Sequence, residues 1–153
     1  MTNKTAFSSS TLPSEITEEK RFSMWQEIYI DEVMSVEYKT ASDVPFLADI
    51  EATIVGDIVL GEMTATVSGV SRNLQNIAED SRDGYLLMIS KGAPLISGVH
   101  AGREYTVNTD GCVLYSSSEP LNGYMKERDS NKPNSWSNHF FPVDLLKGKF
   151  NRI

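Results

Sequence analysis

The sequence predicts a single, mainly β domain built as a sandwich or a barrel. Its 153 residues suit one domain, and the composition is that of an ordinary globular protein. From residue 33 onward, apolar side chains alternate with polar ones or occur in short runs of strand length. Turn residues separate these runs too closely for the helices that a βαβ pattern requires, which favours an all-β architecture.

The N-terminal region is predicted to contain an arm and one helix. Residues 1–20 are rich in Ser, Thr and Glu, and we expect them to form a flexible arm. In residues 21–30, large apolar side chains recur at helical spacing, at Phe22, Trp25, Ile28 and Tyr29. This spacing predicts an amphipathic helix that packs on the main body, with Trp25 in the core.

The first half of the main body is predicted to contain a β-hairpin and a short helical turn. Residues 46–54 alternate apolar and polar side chains, residues 55–57 supply a turn, and residues 58–67 form the returning strand, in which Gly61 suggests a bulge. A helical turn follows at 71–81, capped by Ser71 or Asn73. The apolar run at 85–90 predicts a strand that is buried on both faces.

The second half of the main body is predicted to consist of strands separated by tight turns. We predict strands at 94–99, 104–108, 112–117, 121–129 and 134–141, with turns around Gly102 and at 109–111. Cys112 begins one of these strands and is interpreted as a buried structural cysteine. After Pro142, the apolar spacing predicts the start of an amphipathic helix.

Charge and hydropathy exclude several classes of partner. The chain holds 14 Lys and Arg against 21 Asp and Glu, and it has no basic stripe. Direct binding of nucleic acid by these residues is therefore not expected, because it requires clustered cations. No apolar run approaches the ~20 residues that span a bilayer, and residues 1–15 lack the apolar stretch of a signal peptide. We expect a cytoplasmic protein with no membrane partner.

The sequence offers no evidence for catalysis, a cofactor or a metal site. His100 and His139 are far apart, Cys112 is the single cysteine, and neither H-x-H nor C-x-x-C spacing occurs. Phosphate-binding glycine loops and a nucleophile elbow are also absent. Two residues remain open to interpretation: Arg72 either pairs with an acid such as Glu62 or Asp80 or holds a polar ligand. His139 is either structural or faces a cavity.

The order of features between residues 85 and 120 resembles the N-terminal sensing domain of AraC-type transcription regulators. These features are the strand at 85–90, Gly92, the strand at 95–99, Gly102–Arg103, the strand at 105–108, the turn at 110–112, the strand at 113–115 and Pro120. The turn reads Asp-Gly-Cys where that family has Pro-Gly-Asp. The resemblance implies a cupin-like double-stranded β-barrel, or jelly roll, over residues 21–147. Residues 1–20 would then be the arm, and residues 148–153 the start of a linker.

The resemblance also implies a function. It implies the regulatory domain of a bacterial transcription regulator that binds a small effector, mediates homodimerisation, or both. DNA would be contacted only through a C-terminal helix-turn-helix part that is not in this chain, and the final residues favour a sensing domain excised from such a protein over a natural stand-alone domain. By matching order, the residues that would line an effector pocket are Arg72, Tyr85, Asn122, Tyr124, Trp136 and His139.

Two alternative functions remain open at this point. One is a purely structural dimerisation domain with a filled barrel, since small barrels are readily packed solid. The other is a stand-alone cupin-type enzyme. The enzyme is disfavoured because cupin enzymes bind their metal through a His-x-His and Glu motif that this sequence lacks.

Overall fold

The computed structural model describes residues 2–42, 44–91, 96–108, 110–125 and 133–150. Residues 148–150 are described by their backbone alone. The described residues form eleven β-strands, three α-helices and one short 3₁₀ turn. The elements are β1 (Thr2–Ser8), the 3₁₀ turn (Ser9–Thr11), α1 (Glu18–Glu32), β2 (Glu37–Thr40), β3 (Ala48–Val55), β4 (Ile58–Ala65), β5 (Val67–Arg72), α2 (Leu74–Asp80), β6 (Gly84–Ser90), β7 (Ile96–His100), β8 (Arg103–Val107), β9 (Cys112–Ser116), β10 (Leu121–Met125), β11 (Asn134–Pro142) and α3 (Val143–Phe150).

The strands form two facing sheets with jelly-roll topology. Their orders are β1-β3-β4-β11-β6-β9 and β2-β5-β10-β7-β8, and the pairing is antiparallel. The strands from β4 to β11 pair in a nested way: β4 with β11, β5 with β10, β6 with β9, and β7 with β8. Nested pairing of this kind defines a jelly roll. The predicted mainly β, cupin-like fold is therefore confirmed, although the described strand pairs do not join the two sheets into one closed cylinder.

Two tight turns form where the sequence predicts them. Gly56 has a φ of 61° in the turn between β3 and β4, where the missing Cβ removes the steric penalty. Between β7 and β8, Ala101 and Gly102 have φ values of 51° and 76°. Two successive positive φ angles are typical of the type I′ turn, whose twist matches that of a hairpin.

Side-chain caps fix where the first two helices begin. The Thr17 side chain accepts a hydrogen bond from the Lys20 N–H, so α1 begins at Glu18. Asn73 and Asn76 form a reciprocal capping box at the start of α2. This box makes α2 a complete helix instead of the single turn predicted, and it identifies Asn73 as the cap.

The N-terminal segment differs from the expected flexible arm. Strand β1 pairs along its whole length with β3 and forms one edge of the six-stranded sheet. Just after β1, the buried Ser9 hydroxyl accepts a hydrogen bond from the Ala48 N–H, and Phe7 packs against the core. This order depends on contacts with distant residues, so the polar composition alone did not reveal it.

Three further expectations are corrected. Along β6, residues alternate between buried and more exposed positions, so the strand has one buried face and not two. Gly61 lies in an unbroken register, and a Cβ there would come within 3.0 Å of the Asn138 carbonyl oxygen, so the glycine allows close strand contact and marks no bulge. Cys112 is exposed, because the inward positions of β9 are occupied by its neighbours Val113 and Tyr115.

Some of the predicted elements extend outside the described residues. These parts are Met1 of the arm, Gly92, residues 94–95 of one strand, Thr109 of a turn, residues 126–129 of another strand, and residues 151–153 of the linker.

The core fills the space between the sheets and continues beneath α1. Trp25 is 0% exposed and lies with Tyr29 on the buried face of α1, as the helical spacing predicts. Their rings contact Tyr38 on β2 at centroid distances of 4.9 and 5.0 Å. The helix therefore closes one side of the jelly roll with aromatic side chains.

Candidate functional site

The interior of the jelly roll holds a cavity of about 30 Å³. A space of this size accommodates about one water molecule. Its walls combine aromatic side chains, including Tyr115 and Trp136, with three methionines, Met34, Met88 and Met125. The described interior is thus almost filled by the protein's own side chains.

A hydrogen-bonded cluster of aromatic residues and one amide lies beside this cavity. The Asn138 side-chain amide is oriented so that both its oxygen and its nitrogen have hydrogen-bond partners. Its oxygen then accepts hydrogen bonds from Trp136 Nε1 at 3.1 Å and from the Tyr29 hydroxyl at 2.7 Å. Burial raises the pKa of Tyr29 to about 12, and hydrogen bonds with Tyr38 and Asn138 offset part of that effect. Burial likewise raises the pKa of Tyr38 well above its ordinary value. These hydroxyls therefore remain neutral near pH 7 and act as hydrogen-bonding groups.

A second aromatic group closes the opposite side, where β8 and β9 are the edge strands. The Tyr115 ring lies 5.5 Å from Tyr105 and 5.2 Å from His100, in edge-on contacts. Burial raises the pKa of both tyrosines. The His100 Nε2 atom lies 3.2 Å from both the backbone N and O of Ser116, so the imidazole contacts the edge of β9.

Arg72 forms a buried clamp that joins four segments of the chain. Arg72 is the last residue of β5, and only 2% of its surface is exposed. Its guanidinium donates hydrogen bonds to Asp80 Oδ2 and Oδ1 at 2.7 and 2.9 Å. It also donates to the carbonyl of Ser35, which follows α1, and to that of Ser117, which follows β9. Burial acts to raise the pKa of Asp80, but hydrogen bonds from Arg72 and from two backbone N–H groups lower it overall. Pairing of Arg72 with an acid is thereby confirmed, and Asp80 is the partner.

The outer face of the six-stranded sheet carries a smaller polar cluster. Lys91 forms an ion pair with Glu62, which also accepts a hydrogen bond from the Ser137 hydroxyl at 2.8 Å. Partial burial acts to raise the pKa of Glu62, but the hydrogen bonds from Lys91 and Ser137 lower it overall. Since both partners of the ion pair are about half exposed, the pair contributes little to stability.

The structure does not bring the six predicted ligand residues together. Trp136 lines the interior cavity, whereas Arg72 lies in the clamp. The other four occupy outward positions on their strands, including Tyr124, which is 61% exposed; they are Tyr85, Asn122, Tyr124 and His139. Ligand binding at these residues stays a prediction.

Sequence reasoning missed the polar side chains that do face the interior. Along β11, Trp136, Asn138 and Phe140 are buried on the inner face, whereas His139 lies on the outer face, so Asn138 and not His139 is the neighbour of Trp136 there. Strict alternation from Trp136 would have identified Asn138. His139 Nδ1 is inaccessible to solvent and has no hydrogen-bond partner among the described atoms.

The described residues contain neither a metal-binding cluster nor a membrane-spanning helix. No group of three or more His, Cys, Asp or Glu side chains in the described part of the chain could hold a metal ion. No helix among the same residues is long and apolar enough to cross a membrane.

Comparisons with known proteins identify the fold. No family and no curated protein matches the sequence. Among solved structures, the AraC-like transcriptional activator CuxR matches with a TM-score of 0.70 at 15% identity, over 97% of this chain and 51% of that one. This chain therefore spans about half the length of CuxR. The predicted resemblance to a domain of AraC-type regulators is confirmed at the level of the fold.

Weaker matches come from two cupin proteins. The cupin domain of Schizosaccharomyces pombe Cnp3 has a TM-score of 0.46 at 7% identity, over 71% of this chain and 76% of that one. A cupin 2 conserved barrel protein from Salinispora arenicola has a TM-score of 0.41 at 9% identity, over 81% of this chain and 88% of that one.

Proposed function

We propose that this chain is the regulatory domain of an AraC-type transcription regulator and that it acts by holding two copies of the regulator together. The observation that carries the proposal is the structural match over 97% of this chain to half of an AraC-like transcriptional activator. DNA would be contacted by a separate C-terminal part. The acidic composition of this chain, with a net charge of −7, agrees with that division of labour.

The filled interior argues against effector binding inside the barrel. Pockets for small molecules measure roughly 300–1,000 Å³, whereas the interior cavity has a volume of about 30 Å³. Binding inside the barrel would require several core side chains to move, at a cost in packing energy. A dimerising domain, in contrast, needs only a stable scaffold and a self-complementary surface.

A reporter experiment tests this proposal directly. The chain is fused to a monomeric DNA-binding domain that represses only when two copies occupy adjacent half-sites. We expect repression of an operator with two half-sites and none of an operator with one. A fusion that folds and binds a single half-site, yet gives no cooperative repression, would contradict the dimerising role.

Effector sensing is a second candidate function, and the composition of the cavity wall supports it. Met34, Met88 and Met125 are flexible side chains that can rearrange around a ligand. A thermal-shift screen against metabolites and fatty acids tests this role. A ligand whose stabilisation disappears in Met88→Phe, which fills the cavity, would support interior binding.

We propose no catalytic role for the chain. His100 and His139 lie on β7 and β11, which belong to different sheets, instead of the tight His-x-His arrangement of metal-dependent cupins. Elemental analysis of the purified protein provides the test. Stoichiometric iron, manganese, nickel or zinc that is lost in a His100→Ala or His139→Ala variant would contradict this part of the proposal.

A further inference from the structure

The two sheets expose four edge strands, and one of them differs from the others in charge. The edges are β1 and β9 in the larger sheet, and β2 and β8 in the smaller one. Charged residues occur in three of them: Lys4 in β1, Glu37 and Lys39 in β2, and Arg103 and Glu104 in β8. The sequence of β9, CVLYS, has no charge. Charged side chains are a common protection against edge-to-edge pairing, and β9 lacks it.

The backbone of β9 offers unpaired hydrogen-bonding groups at this edge. The Ser90 N–H of β6 donates a hydrogen bond to the Gly111 carbonyl, and the Ser117 N–H donates one to the Gly84 carbonyl. In an antiparallel pair, hydrogen-bonded positions alternate, so the odd-numbered residues of β9 bond to β6. The N–H and C=O groups of Cys112, Leu114 and Ser116 therefore point away from the sheet. His100 already contacts those of Ser116, which leaves those of Cys112 and Leu114 without a partner among the described residues.

The side chains around this edge are apolar and exposed. Leu114 is 57% exposed on the outer face of the sheet. Its partner in the neighbouring strand is Leu87, and Tyr85 lies one pair further along the same face. Pairing at β9 would therefore bring apolar side chains together without bringing charges into contact. This matters for self-association, because two copies of a chain with a net charge of −7 otherwise repel one another.

We propose that β9 pairs antiparallel with β9 of a second copy about a two-fold axis at Val113, so that the two six-stranded sheets become one continuous sheet. This inference rests on the proposed dimerising function and names the surface that carries it. In this register, Cys112 lies opposite Leu114 of the second copy and exchanges two backbone hydrogen bonds with it. The symmetry-related pair adds two more.

The unpaired backbone groups of β9 determine the register of this pairing. An axis at Leu114 would place Cys112 opposite Ser116, whose backbone groups are contacted by His100. An axis at Val113 uses both free residues and leaves the contact with His100 intact. A second copy also suits this edge better than an unrelated peptide, because a two-fold axis presents the same uncharged, apolar strand to itself.

A cross-linking experiment tests the register with the native cysteine. Wild type, which carries only Cys112, is mixed and equilibrated with a tagged C112S/L114C variant under mild oxidation. We expect a covalent heterodimer in the mixture, because residues 112 and 114 would lie about 5.5 Å apart across the axis, within disulfide range. In a homodimer of either protein, the cysteines of the two copies would be diagonal neighbours about 7–8 Å apart. Neither protein should therefore cross-link with itself. Self-cross-linking of C112S/L114C would overturn the register.

A charge variant tests whether the edge contributes affinity. Leu114→Lys places a charge on the edge without removing a backbone group that bonds to β6. We expect the dissociation constant from sedimentation to rise by at least about tenfold. The matched control is Leu74→Lys, since Leu74 is 72% exposed on α2, and it should change the constant by less than about twofold.

The outcomes separate this inference from the proposed function. A wild type that is dimeric by sedimentation, but is unaffected by Leu114→Lys and gives no covalent heterodimer, would overturn the β9 interface and leave dimerisation intact. A wild type that stays monomeric at millimolar concentration would overturn both.

Discussion

The two sides of the jelly roll are closed in different ways. On the α1 side, five aromatic rings pack edge-on or tilted against one another; they belong to Phe22, Trp25, Tyr29, Tyr38 and Phe46. On the β8–β9 side, three rings close the space between the sheets and no described helix covers the edges; they belong to His100, Tyr105 and Tyr115. The first side concentrates buried apolar area, whereas the second leaves a strand edge exposed. Our proposal thus places association on the side opposite to the one that concentrates the buried apolar area.

The largest expected effect is on the α1 side. Trp25→Ala removes a fully buried indole from the aromatic cluster and should lower the free energy of unfolding by about 4 kcal/mol. Chemical denaturation followed by circular dichroism measures this change.

Two controls accompany this substitution. Trp25→Phe should cost clearly less, because the indole Nε1 has no hydrogen-bond partner among the described atoms. Leu74→Ala, at an exposed site on α2, should change stability by less than about 0.5 kcal/mol. If Trp25→Ala cost no more than Leu74→Ala, the α1 side would not be the stabilising one.

The next effect concerns the clamp that connects the two sides. Arg72 binds the carbonyl groups of Ser35, after α1, and Ser117, after β9. Arg72→Met leaves Asp80 as a partly buried carboxylate without its cation and should cost about 3 kcal/mol, measured by denaturation at pH 7.

The pKa of Asp80 gives this clamp a defined pH dependence. Because the folded protein lowers that pKa, the associated stability is present above the unfolded value of about 3.9 and is lost as pH falls through the folded value. Asp80→Asn should remove this part of the acid sensitivity. A double-mutant cycle between Arg72→Met and Asp80→Asn with no coupling energy would contradict the clamp.

The fold could be predicted largely from local signals. The β3–β4 hairpin combines side-chain alternation with a glycine turn, and the β7–β8 hairpin has Gly102 at a position of positive φ. Strand β1 could not be predicted in this way, because its polar sequence becomes ordered only through pairing with β3. Local patterns therefore indicate where strands lie more reliably than which distant strands they join.

The candidate site was harder to predict, because the sequence leaves the inward face of several strands ambiguous. In β6 every residue from Tyr85 to Ile89 is apolar or aromatic, so either face could have been the inner one. In β10, Leu121 and Met125 point inward and Tyr124 outward, although all three are large apolar or aromatic residues. The pairing of each strand with its neighbours determines the choice, and that information is not local.

A smaller effect is expected at alkaline pH. The pKa of Tyr29 is raised to about 12 in the folded protein, from an ordinary value of 10.0. Because the folded state favours the neutral hydroxyl, the stability associated with this raised pKa is fully present below pH 10 and is lost as pH rises toward 12. We expect a loss of about 2 kcal/mol over this window from Tyr29 alone, measured by urea denaturation at each pH.

The matched controls for the alkaline effect are tyrosine-to-phenylalanine substitutions. Tyr29→Phe should flatten the loss of stability above pH 10, at the cost of its hydrogen bond with Asn138. Tyr124→Phe, on the exposed face of β10, should leave the profile unchanged. If both variants retained the full alkaline loss, another buried group on the α1 side, such as Tyr38, would be responsible.

The smallest effect on folding is expected at the β9 edge, where the effect on association should be largest. In a monomeric sample at low concentration, Leu114→Lys should change the free energy of unfolding by less than about 0.5 kcal/mol, because the side chain is 57% exposed and its N–H does not bond to β6. Denaturation midpoints at several protein concentrations separate the two effects. The wild-type midpoint should rise with concentration, since dimerisation stabilises the folded state by mass action, whereas the variant's midpoint should not. A large loss in the dilute variant would instead place Leu114 in the stabilising core and remove the contrast between the two sides.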